Sequence, residues 1–293
     1  MNLNYLMAAF NSVQEFKRGL LEEYYNGPRN LEAEQALINN LFDDGDYDLV
    51  LIMLENGCSL TEEIKKRCIT SYNLRLYQFL YPNHIDLSKT LMKKVCGNGN
   101  LELIKWLRDK GALMDERCCT YAAGRGHLEV LKWLRANGCP LCEWMCKTVA
   151  IRGGHLEVLK WLHLEGVSLD EKWEGQCQVD GGWYSEVLKW FGIDEDYSSD
   201  GFFCAIAAAG GHLEMLKWLR ENGCPWNKSC CSNAAAGGHL KVLKWLRENG
   251  CPWDDCVYDY AEKEGHLEVL KWLRDNGCGS PKLIPGYLCE MLF

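Results

Sequence analysis

Apolar and polar positions along this chain fall into one phrase that keeps returning. HLEVLKWLRDN, residues 266–276, is its last complete copy. On a helical wheel Leu267, Val269, Leu270, Trp272 and Leu273 cover an arc of roughly 220 degrees, and Glu268, Lys271 and Asp275 fill the remainder. So wide an apolar arc predicts a helix wedged between neighbours, not one laid on a single surface. Glu268 and Lys271 stand three apart on the wet strip, a spacing that contributes only about 0.2–0.5 kcal/mol.

The tryptophan of the phrase recurs as Trp106, Trp133, Trp161, Trp190, Trp218, Trp245 and Trp272, at steps of 27, 28, 29, 28, 27 and 27 residues. Phe79 and Ile52 continue the series backwards at the same step of 27. A period of this length marks one supersecondary unit copied many times, each unit covering the apolar face of the next. One elongated domain is expected. Residues 1–29 form an N-terminal cap segment, residues 30–279 about nine repeats, and residues 280–293 a C-terminal cap. Because Phe79 and Ile52 replace tryptophan in the anchor column, the anchors are expected to lie hidden between layers, each covering about 150–250 Å².

A second helix is predicted upstream in every unit, as in DERCCTYAAGRG (115–126) and NKSCCSNAAAGG (227–238). The column before it reads Thr61, Ser88, Asp115, Asp170, Ser199, Asn227 and Asp254, side chains suited to accept from the first free backbone N–H groups. One position earlier stand apolar residues such as Trp226 and Trp253, placed to staple onto the first turn near Cys231 and Tyr258. Glycine closes the first helix in most units. Asn-Gly-Cys-Pro closes the second at 222–225 and 249–252, with a left-handed glycine stop followed by proline.

This pattern, with AAxxGHLEVLKWLxxxG as its core phrase, resembles the ankyrin repeat, most strongly in the five units that keep Gly-His at His127, His155, His212, His239 and His266. The resemblance implies an all-α, ankyrin-like helix-turn-helix repeat solenoid. The Thr-Pro-Leu-His opening is absent and the unit is about six residues short of the usual 33, so shortened hairpin loops are expected. Short, Trp-rich, Gly-Cys-Pro-Trp units are similar to those of ankyrin proteins encoded by giant DNA viruses of amoebae. That similarity implies a viral, intracellular protein in the host cytoplasm.

Composition narrows the function. The formal charge of −9 opposes general phosphate binding, which relies on clustered Lys and Arg, so no nucleic-acid partner is expected. No run of 18 apolar residues exists to span a membrane. Seventeen cysteines behind a start, MNLNYLMAAF, that lacks a basic leader predict a reducing compartment.

Three groups invite chemistry. The repeated histidines titrate near neutrality, yet their column continues as Asp46, Asn73, Asn100 and Tyr184, which points to hydrogen bonding at a helix start. Cys139, Cys142 and Cys146 have a spacing that zinc sites use. The columns of Cys139 and Cys146 also hold leucine, isoleucine and valine, so packing is the simpler role. The unit around Trp190 departs furthest from the consensus: Trp183 and Tyr184 replace Gly-His, and Asp194, Glu195, Asp196 and Tyr197 follow in an acidic loop. Carboxylates beside aromatics suit a basic partner.

No catalytic constellation stands out, and the chain is expected to be no enzyme, with no cofactor and no small-molecule substrate. The ankyrin resemblance implies a protein–protein interaction scaffold. Its protein partner, a host protein, is expected along the concave face, near Arg125, Arg152 and Lys263 at the ends of first helices. Alternatives are a substrate-recruiting adaptor of a host ubiquitin ligase docking through residues 1–29, and a zinc- or nucleic-acid-binding module.

Overall fold

A computed structural model describes residues 31–81, 89–169 and 201–278. Among them all regular structure is helical, in sixteen helices. Backbone contacts divide the chain into two compact units, Met1–Ile85 and Asp86–Phe293, where the repeat alone suggested one elongated body.

The first unit pairs α1 (Leu31–Asp43) with α2 (Tyr47–Glu55) and α3 (Glu62–Thr70) with α4 (Leu74–Leu80). Ile38, Leu41, Val50, Met53, Ile64 and Leu76 form its core. Thr61 caps α3 by accepting from the Ile64 N–H at 3.3 Å, and the Asn73 side chain caps α4 through the Arg75 and Leu76 N–H groups.

Among the described residues the second unit contains six helix pairs. They are α5 (Lys89–Asn98) with α6 (Leu101–Asp109), α7 (Glu116–Gly124) with α8 (Leu128–Ala136), and α9 (Glu143–Arg152) with α10 (Leu156–Leu164). After the undescribed residues 170–200 come α11 (Phe202–Ala209) with α12 (Leu213–Glu221), α13 (Lys228–Ala236) with α14 (Leu240–Glu248), and α15 (Cys256–Lys263) with α16 (Leu267–Asp275). First helices touch first helices in the order α5, α7, α9, α11, α13, α15. Small side chains permit that close approach: Ala122 and Ala123, Ala207 and Ala208, Ala234 and Ala235 are all buried. The first helix gives way to the second through a tight turn. In α7 and α8 it is made by Gly126 at φ +77°, a left-handed conformation that side chains with a Cβ resist, and closed by His127 N–H on the Ala122 carbonyl at 2.9 Å.

Second helices bury three positions each: Val130, Leu131 and Leu134 in α8, Met215, Leu216 and Leu219 in α12, Val242, Leu243 and Leu246 in α14. The tryptophan is not among them. Trp106, Trp133, Trp161, Trp218, Trp245 and Trp272 are all half-buried, and Ile52, in the same column, is 36% exposed. The expectation of anchors sealed between layers is therefore corrected. On the wheel, Trp272 and Leu267 mark the two ends of the apolar arc, and only the middle of that arc meets the neighbouring helices. Leu267 at the other end is 69% exposed.

Stacking follows chain order with one departure. The layer that packs on α9 and α10 is α11 and α12, although residues 170–200 separate them in sequence. Trp144 of α9 lies flat on Phe202 of α11, with ring centroids 5.8 Å apart and planes 4° apart. His163 meets Trp218 edge-on at 5.6 Å. α9 thus packs directly on α11; the unit counted around Trp190 lies outside the described residues. The expected cap segments and the helix starts at Ser88, Asp170 and Ser199 lie outside the described residues.

Candidate partner-binding surface

Each repeated histidine sits at the start of a second helix, but none caps it: the side chains make no hydrogen bond to their own helix N-terminus. Instead the Nε2 atom reaches back one layer. His127 bonds the Gly97 carbonyl at 3.0 Å, His155 the Gly124 carbonyl at 3.1 Å and His212 the Arg152 carbonyl at 3.0 Å. His239 bonds the Ala209 carbonyl at 3.0 Å and His266 the Ala236 carbonyl at 2.8 Å. These carbonyls end first helices, where the last C=O groups have no partner within the helix. Capping of the helix start does occur at Asn100, whose side chain accepts from Leu103 N–H at 3.0 Å. Sequence reading thus found hydrogen bonding in this column but missed its direction in the histidine units.

Burial lowers the pKa of His155 and His239 below the ordinary histidine value. As pH falls through about 6.5, the unfolded chain takes up protons that the folded stack resists, so stability drops from there down to the depressed folded values. Above that window these two groups add no pH dependence. Urea midpoints at pH 7.5 and 5.5 should show the loss, and H155N/H239N should flatten it, since asparagine already serves at Asn73 and Asn100. A difference between the two pH values that is identical with and without the substitutions would assign it to other groups.

The thiols are mostly interior. Cys139 and Cys146 are buried, and the Cys139 thiol donates to the Asp115 carbonyl at 3.2 Å. Cys251 does the same to the Asn227 carbonyl at 3.4 Å, tying the loop after a second helix to the residue that opens the first. Cys142, the third residue of the zinc-like spacing, is disulfide-bonded. Burial raises Cys146 well above the ordinary thiol value and Cys68 to about 11, which keeps both protonated near neutrality. Among the described residues no three His, Cys, Asp or Glu side chains gather as metal ligands.

Three first helices are closed on every side. Cys118–Gly124 of α7, Met145–Ile151 of α9 and Phe202–Ala208 of α11 are buried without interruption. The first-helix face expected to be open to a partner is therefore covered in these layers. Arg125 remains exposed as the residue after α7, Arg152 is half-buried as the last residue of α9, and Lys263 is exposed as the last residue of α15. Arg152 and Lys263 occupy the same station, three residues ahead of the histidine and three layers apart; Arg125 stands one residue nearer its own histidine, His127. Trp183, Tyr184, Asp194, Glu195, Asp196 and Tyr197 lie outside the described residues.

Sequence reading missed Tyr260. It stands in one column with Tyr121, Val149 and Ile206, all buried, yet it is 48% exposed on α15. No local signal separates the two tyrosines; the difference is the layer packed against Tyr121. Also missed was the pairing of Trp226 and Trp253. They meet Trp245 and Trp272 edge-on, each at 5.9 Å, beneath the guanidinium groups of Arg220 and Arg247 at 4.0 and 3.9 Å.

The family model described as "Ankyrin repeats (many copies)" matches residues 89–135, 119–163 and 203–247. Residues 164–202 fall between the matches. Among solved structures, the human ASB11 ankyrin repeat domain matches at 18% identity with a TM-score of 0.44, covering 64% of this chain and 84% of that one. No curated protein matches. Ankyrin repeats generally mediate protein–protein interaction. Among the described residues no helix is long and apolar enough to cross a membrane.

Proposed function

We propose that this chain is a non-enzymatic scaffold that holds a protein partner on the first-helix side of its later layers. The supporting observation is the contrast between α7, α9 and α11, closed on all sides, and α15, where Tyr260, Glu262 and Lys263 are exposed. An exposed tyrosine beside charged neighbours combines a rigid apolar body with a polar rim, the composition that dominates binding energy at protein interfaces. Arg125 and Arg152 extend the surface along the turns of earlier layers. The partner we propose is a host protein met inside the host cell, a reading that draws on the resemblance of the repeat phrase to ankyrin proteins of giant viruses.

Affinity capture from expressing cells tests this reading. Y260A/K263E should cut recovery of the principal partner at least about tenfold, with a melting temperature close to that of the parent because both side chains face water. Unchanged recovery would remove this face as the site. Two parallel captures address the remaining segments. One lacks residues 1–29, the proposed ligase-docking segment, and the other carries D194A/E195A/D196A.

A further inference from the structure

We propose that the cleft between α14 and α16 receives an acidic side chain of a protein partner, held by Lys244 and Arg247 against the indoles of Trp253 and Trp272. The inference rests on the protein-binding reading above and names the chemistry of one contact. The cleft has a volume of about 440 Å³ and is lined by Lys244, Arg247, Glu248, Trp253, Trp272 and Asn276. Arg247 is laid out in advance. Its guanidinium lies 3.9 Å from the Trp253 ring centre, and one nitrogen donates to the Cys251 carbonyl at 3.3 Å. Its other N–H groups make no hydrogen bond among the described residues. A guanidinium fixed flat in this way loses little freedom on meeting a carboxylate, which its fork matches in two-point fashion.

Lys244 is open for a reason visible in sequence. In α6, α8, α10 and α12 the equivalent lysine is closed by a glutamate three residues earlier, as in Glu102–Lys105 at 3.0 Å and Glu214–Lys217 at 2.8 Å. In α14 that position is Lys241, so the partner carboxylate is replaced by a second cation. The neighbouring Arg220, Trp226 and Trp245 repeat the same stacked geometry, but Lys217 beside them is already neutralised. Glu248 is the one carboxylate lining the cleft, against two cations. Asn276 gives its amide N–H to the Trp272 carbonyl at 2.8 Å. An excess of positive charge beside two indoles at 5.9 Å suits a group that is anionic at its tip and apolar along its stem. The side chain of Asp or Glu next to an apolar residue has that form.

The test is an NMR titration of the full chain labelled with ¹⁵N-tryptophan, using acetyl-Leu-Glu-amide and acetyl-Leu-Gln-amide as probes. The glutamate probe should shift the Trp253 and Trp272 indole N–H signals saturably, with Kd on the order of 1 mM. The glutamine probe should bind at least about fivefold more weakly. K244A should weaken the glutamate probe roughly threefold while leaving the protein folded, and E248Q should tighten it roughly twofold by removing a like charge. Equal responses to the two probes, or a K244A titration that overlays the parent, would overturn the proposal. Partner capture separates this idea from the broader one: undiminished capture by K244A removes the cleft and leaves the scaffold, whereas probe binding without any captured protein does the reverse.

Discussion

Gly211→Ala is expected to destabilise the second unit by about 2–5 kcal/mol, combining left-handed backbone strain with overpacking. Gly211 has φ +74°, and a Cβ placed there would lie 2.5 Å from Nδ1 of His239. That ring cannot swing aside without losing its bond to the Ala209 carbonyl. Gly223 supplies the control within the same layer. It has φ +84°, but a methyl group there would meet no atom within 4 Å, so Gly223→Ala should cost only the strain, about 1–2 kcal/mol. Urea unfolding of both variants measures the difference. Equal losses would mean that the histidine contact across layers contributes nothing beyond backbone conformation.

The second large change is a deletion. Removing residues 170–199 should leave the array of α5–α16 folded, with a cooperative melt near that of the parent. The spacing supports it: His155 and His212 are 57 residues apart, and taking out thirty gives 57 − 30 = 27, the separation of His212 from His239 and of His239 from His266. The bond from His212 to the Arg152 carbonyl already spans 60 residues where its counterparts in other layers span 30 or 31, and it would then span 60 − 30 = 30. The deletion also leaves Asp200 just ahead of Gly201 and Phe202, where Asn227 opens the next first helix. Circular dichroism and size-exclusion chromatography would check the result. Aggregation, or loss of the near-ultraviolet tryptophan signal, would show that the removed residues hold the flanking layers together.

Helix pairs, their turns and most of their caps were legible in the sequence because each depends on local chemistry repeated many times. Left-handed glycines, Asn-Gly stops and the caps at Thr61, Asp115 and Asn227 need only their immediate neighbours. What depends on the third dimension was less legible. A wide apolar arc says that a helix is surrounded, but not how far round, so the pattern alone puts Trp272 and Leu267 at its ends inside. A histidine column says that a hydrogen bond is made, but not whether it runs forward to its own helix or back to the preceding layer. The unit around Trp190 keeps the period because Leu-Lys-Trp is present there, while Trp183 and Tyr184 stand where other units have Gly-His; it lies outside the described residues. The candidate surface was the least legible part, since Tyr260 and Tyr121 share a column and differ only in what covers them.

The histidine reaching back to one carbonyl acts as a ruler along the chain. A newly duplicated segment of about 27 residues arrives with both the reaching group and the receiving carbonyl, so it can join the row without any compensating change. Lineages built this way lengthen or shorten by whole units, while unrelated passages of sequence can be spliced between units provided the two flanking marks still line up.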